Sequence, residues 1–240
     1  ISKPLNRLIV MSTSYIGFLD AIDADSVIVG VSGGEYVCDS SLAAGLDNGT
    51  VTDVGYDASP DYEKIMALKP DLLLTYSVSP VKSQFLSKLE SLGIKTFIVN
   101  EHLERHPLAR AAYVRLFGAL TGNMATADSV LEVVSCNYIS LRDSVRNRLR
   151  TNDTSDKNRL NAREAEHESG ETGMKALKSR KILVNIPYKD QWFVPGQESY
   201  LTTLFKDAGG EILGAKAGSS VSGLISVEAA YSLSKEADLW

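Results

Sequence analysis

Over its first hundred positions the chain alternates two apolar rhythms. RLIVM (7–11) is a short unbroken apolar run, and YIGFLDAI, with helical spacing, follows Ser12-Thr13-Ser14. VIVGVS (27–32) is a second run, and Gly33-Gly34 with a polar stretch leads to a third at VTDVG (51–55). Ser59-Pro60 predicts a helix to about Leu68, because a cap residue precedes the ring that suits a first helical position. LLLTY (72–76) predicts a buried strand, Pro80 opens a helix to Leu92 that Gly93 ends, and TFIVN (96–100) follows. Short apolar runs without alternation suit strands buried on both faces. Strand, helix, strand, helix in succession predicts right-handed βαβ units around a parallel sheet.

After Asn100 the rhythm changes. LARAAYVRLFGALTG (108–122) is helix-forming, Gly122-Asn123 interrupts it, and helical sequence resumes from about Ala125 to Arg150. No strand follows, so this second stretch reads as a strut rather than a crossover. TNDTSDKNRLNAREAEHESGETG (151–173) has almost no apolar residues and predicts a solvated loop or a helix extension. KILVNI (181–186) restarts strand-forming sequence, a loop holding Trp192-Phe193-Val194-Pro195-Gly196 follows, and YLTTLFKDA forms a helix ending at Gly209-Gly210. Ser226 opens ISVEAAYSLSKEA, and ADLW reads as the first residues of a strand. The expected fold class is α/β: two Rossmann-like lobes with parallel sheets joined by a single long α-helix. Its parts are an N-terminal lobe (1–122), a connecting helix (123–150), a charged linker or insertion (151–177) and a C-terminal lobe (178–240). About 60 residues are too few for the usual five or six strands, so the second lobe reads as truncated.

Composition narrows the classes. The 240 residues are 44% hydrophobic and 23% charged, which excludes a wholly disordered or fibrous chain. A net charge of −5 argues against a nucleic-acid partner, since such proteins carry a basic footprint. No apolar run reaches the ~18 residues of a membrane span, and the first residues, ISKPLNRLIVM, lack the parts of a signal peptide, which leaves the compartment open. Cys38 and Cys136 cannot build a disulfide framework and read as two buried free thiols. There is no GxGxxG, GxxxxGK[ST] or GxSxG. His102 and His106 stand four apart, but Pro107 places the helix start after them, so neither metal ligands nor catalytic residues are assigned.

Aromatic residues gather where strands are expected to end. Tyr15, Tyr36, Tyr56 and Tyr76 follow the first four predicted strands, and Tyr188, Trp192 and Phe193 follow KILVNI. Ligands of open α/β sheets bind outside the carboxyl ends of strands, where aromatic rings offer flat surface for a bulky ligand. Tyr15, on an amphipathic helix, reads as packing.

VTDVGYDASPDYEKIMALKPDLLLTY resembles, almost position for position, a block of the periplasmic binding proteins that serve iron-siderophore, haem and cobalamin ABC importers. LESLGIKTFIVN is similar to the strand that follows there, LFGALTGNMATADSVLEVV to the long helix, and WFVPGQESYLTTLFKDAGGEIL with ISVEAAYSLSKEADLW to parts of the second lobe. The resemblance covers about 1–150 and 180–240. It implies two α/β lobes bridged by one rigid helix with small interlobe motion, and a non-enzymatic protein. It also implies a periplasmic or outer-face location with a lipid anchor, importer membrane subunits as partners, and no intrinsic cofactor. The cargo implied is a ferric siderophore, haem or cobalamin. It places ligand contacts at Tyr36, Tyr56, Asp57, Tyr76, Trp192, Phe193 and Ser222, and importer-docking carboxylates at Glu63 and Glu228. A Rossmann-type enzyme for a nucleotide or sugar, and a first-row metal-ion binding protein, are the alternatives.

Overall fold

A computed structural model describes residues 3–77, 83–161, 179–188 and 190–240. Its contacts divide the chain into two units: Ile1–Glu101 with Ala111–Val133, and His102–Arg110 with Val134–Trp240.

The first unit runs β1 (Leu8–Val10), α1 (Thr13–Asp20), β2 (Ile28–Val31), α2 (Ser40–Asn48), β3 (Thr52–Asp53), β4 (Gly55–Tyr56), β5 (Ser59–Pro60), α3 (Tyr62–Ala67), β6 (Leu72–Thr75), α4 (Gln84–Ser91) and β7 (Thr96–Ile98). A short helix α5 (Pro107–Ala111), assigned mostly to the second unit, precedes α6 (Val114–Thr121), and α7 (Met124–Asn161) is a 38-residue helix whose first turns belong to the first unit. Five strands form one parallel sheet in the order β3-β2-β1-β6-β7. Its central strands are apolar without alternation because both faces are covered. Leu8 and Val10 pack with Tyr15, Leu19 and Phe117, while Ile9, between them, packs with Ile65, Phe85 and Leu89. Each fully buried aliphatic side chain contributes about 1.5–3 kcal/mol, so alternate residues of one strand hold two helical layers.

Two expectations here are corrected. Ser59-Pro60 does not open a helix: it forms β5, antiparallel to β4, with Gly55 paired to Pro60 and Tyr56 to Ser59. Helix α3 starts at Tyr62, and Asp61 is its cap, accepting the Lys64 N–H at 3.0 Å. Pro80 lies outside the described residues, and α4 begins at Gln84 with Ser83 accepting the Leu86 N–H at 3.2 Å. Cys38 and Cys136 are free thiols, but both are exposed rather than buried.

The second unit adds β8 (Arg180–Ile182), β9 (Gln191–Val194), α8 (Tyr200–Asp207), β10 (Gly210–Ile212), β11 (Gly223–Ser226) and α9 (Val227–Ser234). β8 and β10 pair in parallel, and Leu239 bridges Ile182 in parallel, as expected of ADLW. WFV is not loop: it lies on β9, antiparallel to β11. Leu183, Trp192, Val194, Ile212 and Ala230 make the core of this unit. Asp207, the last residue of α8, ties that helix to α7: its carboxylate accepts from the Tyr138 hydroxyl at 2.6 Å and from Arg146 at 2.8 Å. Helix α7 runs past Arg150 into the polar stretch as far as Asn161; the rest of that stretch, 162–178, lies outside the described residues.

Candidate ligand-binding site

In the first unit the chain leaves β1 toward β2 and β3 on one side and reaches β6 and β7 on the other. The switch point lies between β1 and β6, where crossovers part and open a crevice beyond the carboxyl ends. Tyr76 follows β6 directly and is half-buried. Burial, and then the charge of Asp57, push its hydroxyl above the ordinary tyrosine value. Beside it the Ser77 N–H donates to the Asn100 side-chain oxygen at 3.1 Å, joining the loops after β6 and β7. Tyr15 is fully buried, with its hydroxyl 2.8 Å from the Val99 carbonyl and 3.1 Å from that of Thr75, so it packs under this edge rather than facing it. Burial, then the Glu101 charge, raise its pKa.

The loop after β2 turns through Gly33, at φ 67°, into a single 3₁₀ turn, Gly34–Tyr36. A methyl group on Gly33 would stand 3.1 Å from the Tyr56 ring and 3.2 Å from the Tyr36 ring, so the two rings flank a bare backbone. Tyr36 is 65% exposed and Tyr56 42% exposed. The Tyr56 hydroxyl donates to Glu35, and that bond is the first cause of a strongly raised Tyr56 pKa. Asp53, at the end of β3, accepts the Gly34 N–H at 2.8 Å with one carboxylate oxygen and the Gly55 N–H at 2.9 Å with the other. One side chain thereby joins the Tyr36 loop to the hairpin that presents Tyr56 and Asp57. Gly55, at φ 76°, makes the hairpin possible, since a Cβ there would lie 2.6 Å from the Ser59 carbonyl oxygen.

Tyr36, Tyr56, Asp57 and Tyr76 thus stand on loops along one edge of one sheet. Asp57 is exposed beside Tyr56. In the second unit, Trp192 is 6% exposed within the core, and its ring N–H donates to the Val184 carbonyl at 2.8 Å. Phe193, its neighbour on β9, is 40% exposed and pairs with Leu224, while Ser222 is exposed just before β11. Glu63 and Glu228 are exposed in the first turns of α3 and α9. The backbone N–H of Glu228 and the Ser226 hydroxyl hold the Glu228 carboxyl below its usual range. Among the described residues no three His, Cys, Asp or Glu side chains gather as a metal site. Glu35 and Asp53 are the participants that sequence reasoning missed: a lone carboxylate in a loop carries no periodic or motif signal. A local hint stood in Asp53-Val54-Gly55, an acceptor two residues ahead of a glycine N–H.

A parallel α/β sheet with exposed aromatic side chains on its carboxyl-edge loops offers a surface on which a small molecule can bind. The model of the family described as periplasmic binding protein matches residues 8–152, more than half of the chain, and the chain belongs to that family. An uncharacterised lipoprotein of Methanocaldococcus jannaschii is 28% identical over 153 residues, covering 61% of this chain and 37% of the relative, so the chain spans little more than a third of that protein's length. A protein of an Fe³⁺-hydroxamate transport system from Saccharomonospora viridis is similar in structure, with TM-score 0.65 and 15% identity over 100% of this chain and 74% of that one. A periplasmic haem-binding protein of Pseudomonas aeruginosa is also similar, with TM-score 0.61 and 18% identity over 95% of this chain and 69% of that one. At such identities these likenesses show the fold. No helix among the described residues is long and apolar enough to cross a membrane.

Proposed function

We propose that the chain is the substrate-binding protein of an ABC importer, and that it captures a bulky metal chelate without acting on it chemically. The chelate, a ferric siderophore, haem or cobalamin, is cargo rather than a resident cofactor. The observation that carries this reading is the pair of exposed rings, Tyr36 and Tyr56, framed by Asp53 at the carboxyl edge of the sheet. Exposed tyrosines held on a rigid frame give flat apolar area with little ordering cost on binding. Tyr76 and Asp57 extend the same edge, and Phe193 and Ser222 are the exposed candidates within the second unit. Trp192 is left out, because its ring is spent on the core.

Glu63 and Glu228 are the docking carboxylates of this reading, each exposed on a first helical turn and each meeting a cation of an importer membrane subunit. The family, together with the lipoprotein relative, supports a place on the outer face of the membrane with a lipid anchor. Uptake of radiolabelled ferric siderophores, haem and cobalamin by cells with and without the gene tests the reading. The expected outcome is loss of uptake of one chelate on deletion and recovery on complementation; unchanged uptake of every chelate would contradict it.

A further inference from the structure

We propose that Tyr36 and Tyr56 form a stacking platform for a coordinatively saturated metal chelate of neutral or positive charge, with Glu35 and Asp53 as its positioning residues. This rests on the binding-protein reading above and names the class of cargo.

The first ground is the fate of the Tyr56 proton. A tyrosine ligates ferric iron as phenolate, so the hydroxyl must first lose its proton. Here the hydroxyl keeps its proton and donates a hydrogen bond to the Glu35 carboxylate, and a phenolate would face that negative charge at contact. Tyr76 is half-buried and feels the charge of Asp57 in the same sense. What these residues present is ring surface. A cargo that stacks on rings and needs no ligand from the protein is one whose metal is already fully coordinated.

The second ground is the charge along the edge. The described residues of the carboxyl-edge loops, 11–14, 32–38, 53–58, 76–77 and 99–101, include Glu35, Asp53, Asp57 and Glu101 and contain no Lys or Arg. Lys64, on α3 beside the hairpin, gives its ammonium to the Asp53 carbonyl at 3.2 Å and lies 3.6 Å from Asp61. An open groove of about 530 Å³ next to the platform is lined by Gly34, Glu35, Asp47 and Asp53 among others, again with carboxylates alone for charge. Ferric iron is neutralised by hydroxamate chelators, one negative charge each, and a pendant ammonium makes the complex a cation. Three catecholates leave a trianion, and haem carries two carboxylates and open axial positions. Of these three iron classes, only the hydroxamates are both saturated and free of repulsion from these carboxylates.

The frame is what makes the two rings one surface. Asp53 holds the Gly34 and Gly55 amides, and Glu35 holds the Tyr56 hydroxyl, so the rings stay side by side over Gly33. Neither carboxylate needs to touch the cargo to do this.

Equilibrium titration of the whole chain by fluorescence quenching tests the proposal with four probes: a ferric tris-hydroxamate with a free amine, its N-acetylated neutral form, a ferric tris-catecholate and ferric haem. The cation should bind about fivefold tighter than the neutral form, as one charge at contact distance in water gives. Both should bind at least a hundredfold tighter than the catecholate or haem. Tyr56→Phe should keep hydroxamate affinity within threefold, whereas Tyr56→Ala should lose tenfold or more. Glu35→Gln should shrink the preference for the cation over the neutral form. Asp53→Asn should weaken both hydroxamates in the parent, the cation somewhat more because a charge is also lost, and add no further loss for the neutral form in the Tyr56→Ala background. Tighter binding of the catecholate or haem, a phenolate-to-iron charge-transfer band with haem, or a Tyr56→Phe loss as large as that of Tyr56→Ala would overturn the proposal and leave the binding-protein reading standing. Failure of every metal chelate, these and cobalamin, to bind would overturn that reading and the proposal with it.

Discussion

Asp207→Asn tests the tie between α8 and the long helix α7. The Asp207 side chain is 10% exposed and accepts from Tyr138 at 2.6 Å and from Arg146 at 2.8 Å. Hydrogen bonds to a charged group contribute about 1.5–3 kcal/mol, and the asparagine keeps one acceptor while losing the charge, so a loss of about 2 kcal/mol is expected. For a chain of this size that is about 4–8 °C in melting temperature. Burial pushes the Asp207 carboxyl up, but the Tyr138 and Arg146 bonds and the arginine charges outweigh it and leave the pKa below its ordinary value. A depressed carboxyl pKa stabilises the fold above the unfolded value and ceases to do so as pH falls through the folded one. The gap between parent and variant should therefore be widest near neutrality and close in acid. Burial, and then the Asp207 bond, push the Tyr138 hydroxyl up to about 12. Its stabilisation is complete below about pH 10, the unfolded value, and is lost between about 10 and 12. Melting curves from about pH 2 to 12 for the parent, Asp207→Asn and Tyr138→Phe read both windows. A shift under about 1 °C at pH 7, against the ~2 kcal/mol worked above, or a gap that widens in acid, would refute the reasoning.

Gly33→Ala should cost about 1–2 kcal/mol, since the residue sits at φ 67° and the new methyl group presses on both tyrosine rings; melting and chelate titration read stability and platform together. Trp192→Ala removes a core ring and its bond to Val184, and should cost about 3–5 kcal/mol with loss of near-ultraviolet circular dichroism; a small melting shift would place the ring at the surface instead. Glu63→Ala and Glu228→Ala should each weaken importer association modestly, by about 0.2–1 kcal/mol for an exposed ion pair, and together severely, while chelate affinity stays unchanged; normal uptake by the double variant would remove the docking assignment.

The elements most legible in the sequence are those whose burial dictates their composition. LIV, IVGV and LLLT read as strands because helices cover both faces of the sheet, which demands apolar residues without alternation. Ser59-Pro60 misled because a cap-then-proline pattern also suits a hairpin, and the actual cap, Asp61, is two residues beyond Ser59. QWFV was legible as a strand in principle, since its burial alternates exposed and buried, but Pro195-Gly196 at its end drew it into a loop reading. The length of α7 was hidden because the polar sequence past Arg150 carries no apolar periodicity to mark a helix. The tyrosines could be placed at strand ends, since that position is one of chain order. Glu35, Asp53 and Asp207 could not, because each works through partners brought near by the fold alone: Tyr56, the Gly34 amide and Tyr138.

Thermal melting of the whole chain with ferric siderophores, haem, cobalamin and a set of nucleotides puts the central claim, capture of a metal chelate, to its most direct test. A ligand present at a hundred times its dissociation constant stabilises the native state by about 2.7 kcal/mol, a shift of several degrees. The account predicts such a shift with one of the metal chelates and none with any nucleotide. A shift with a nucleotide, alongside flat curves for every chelate, would contradict it.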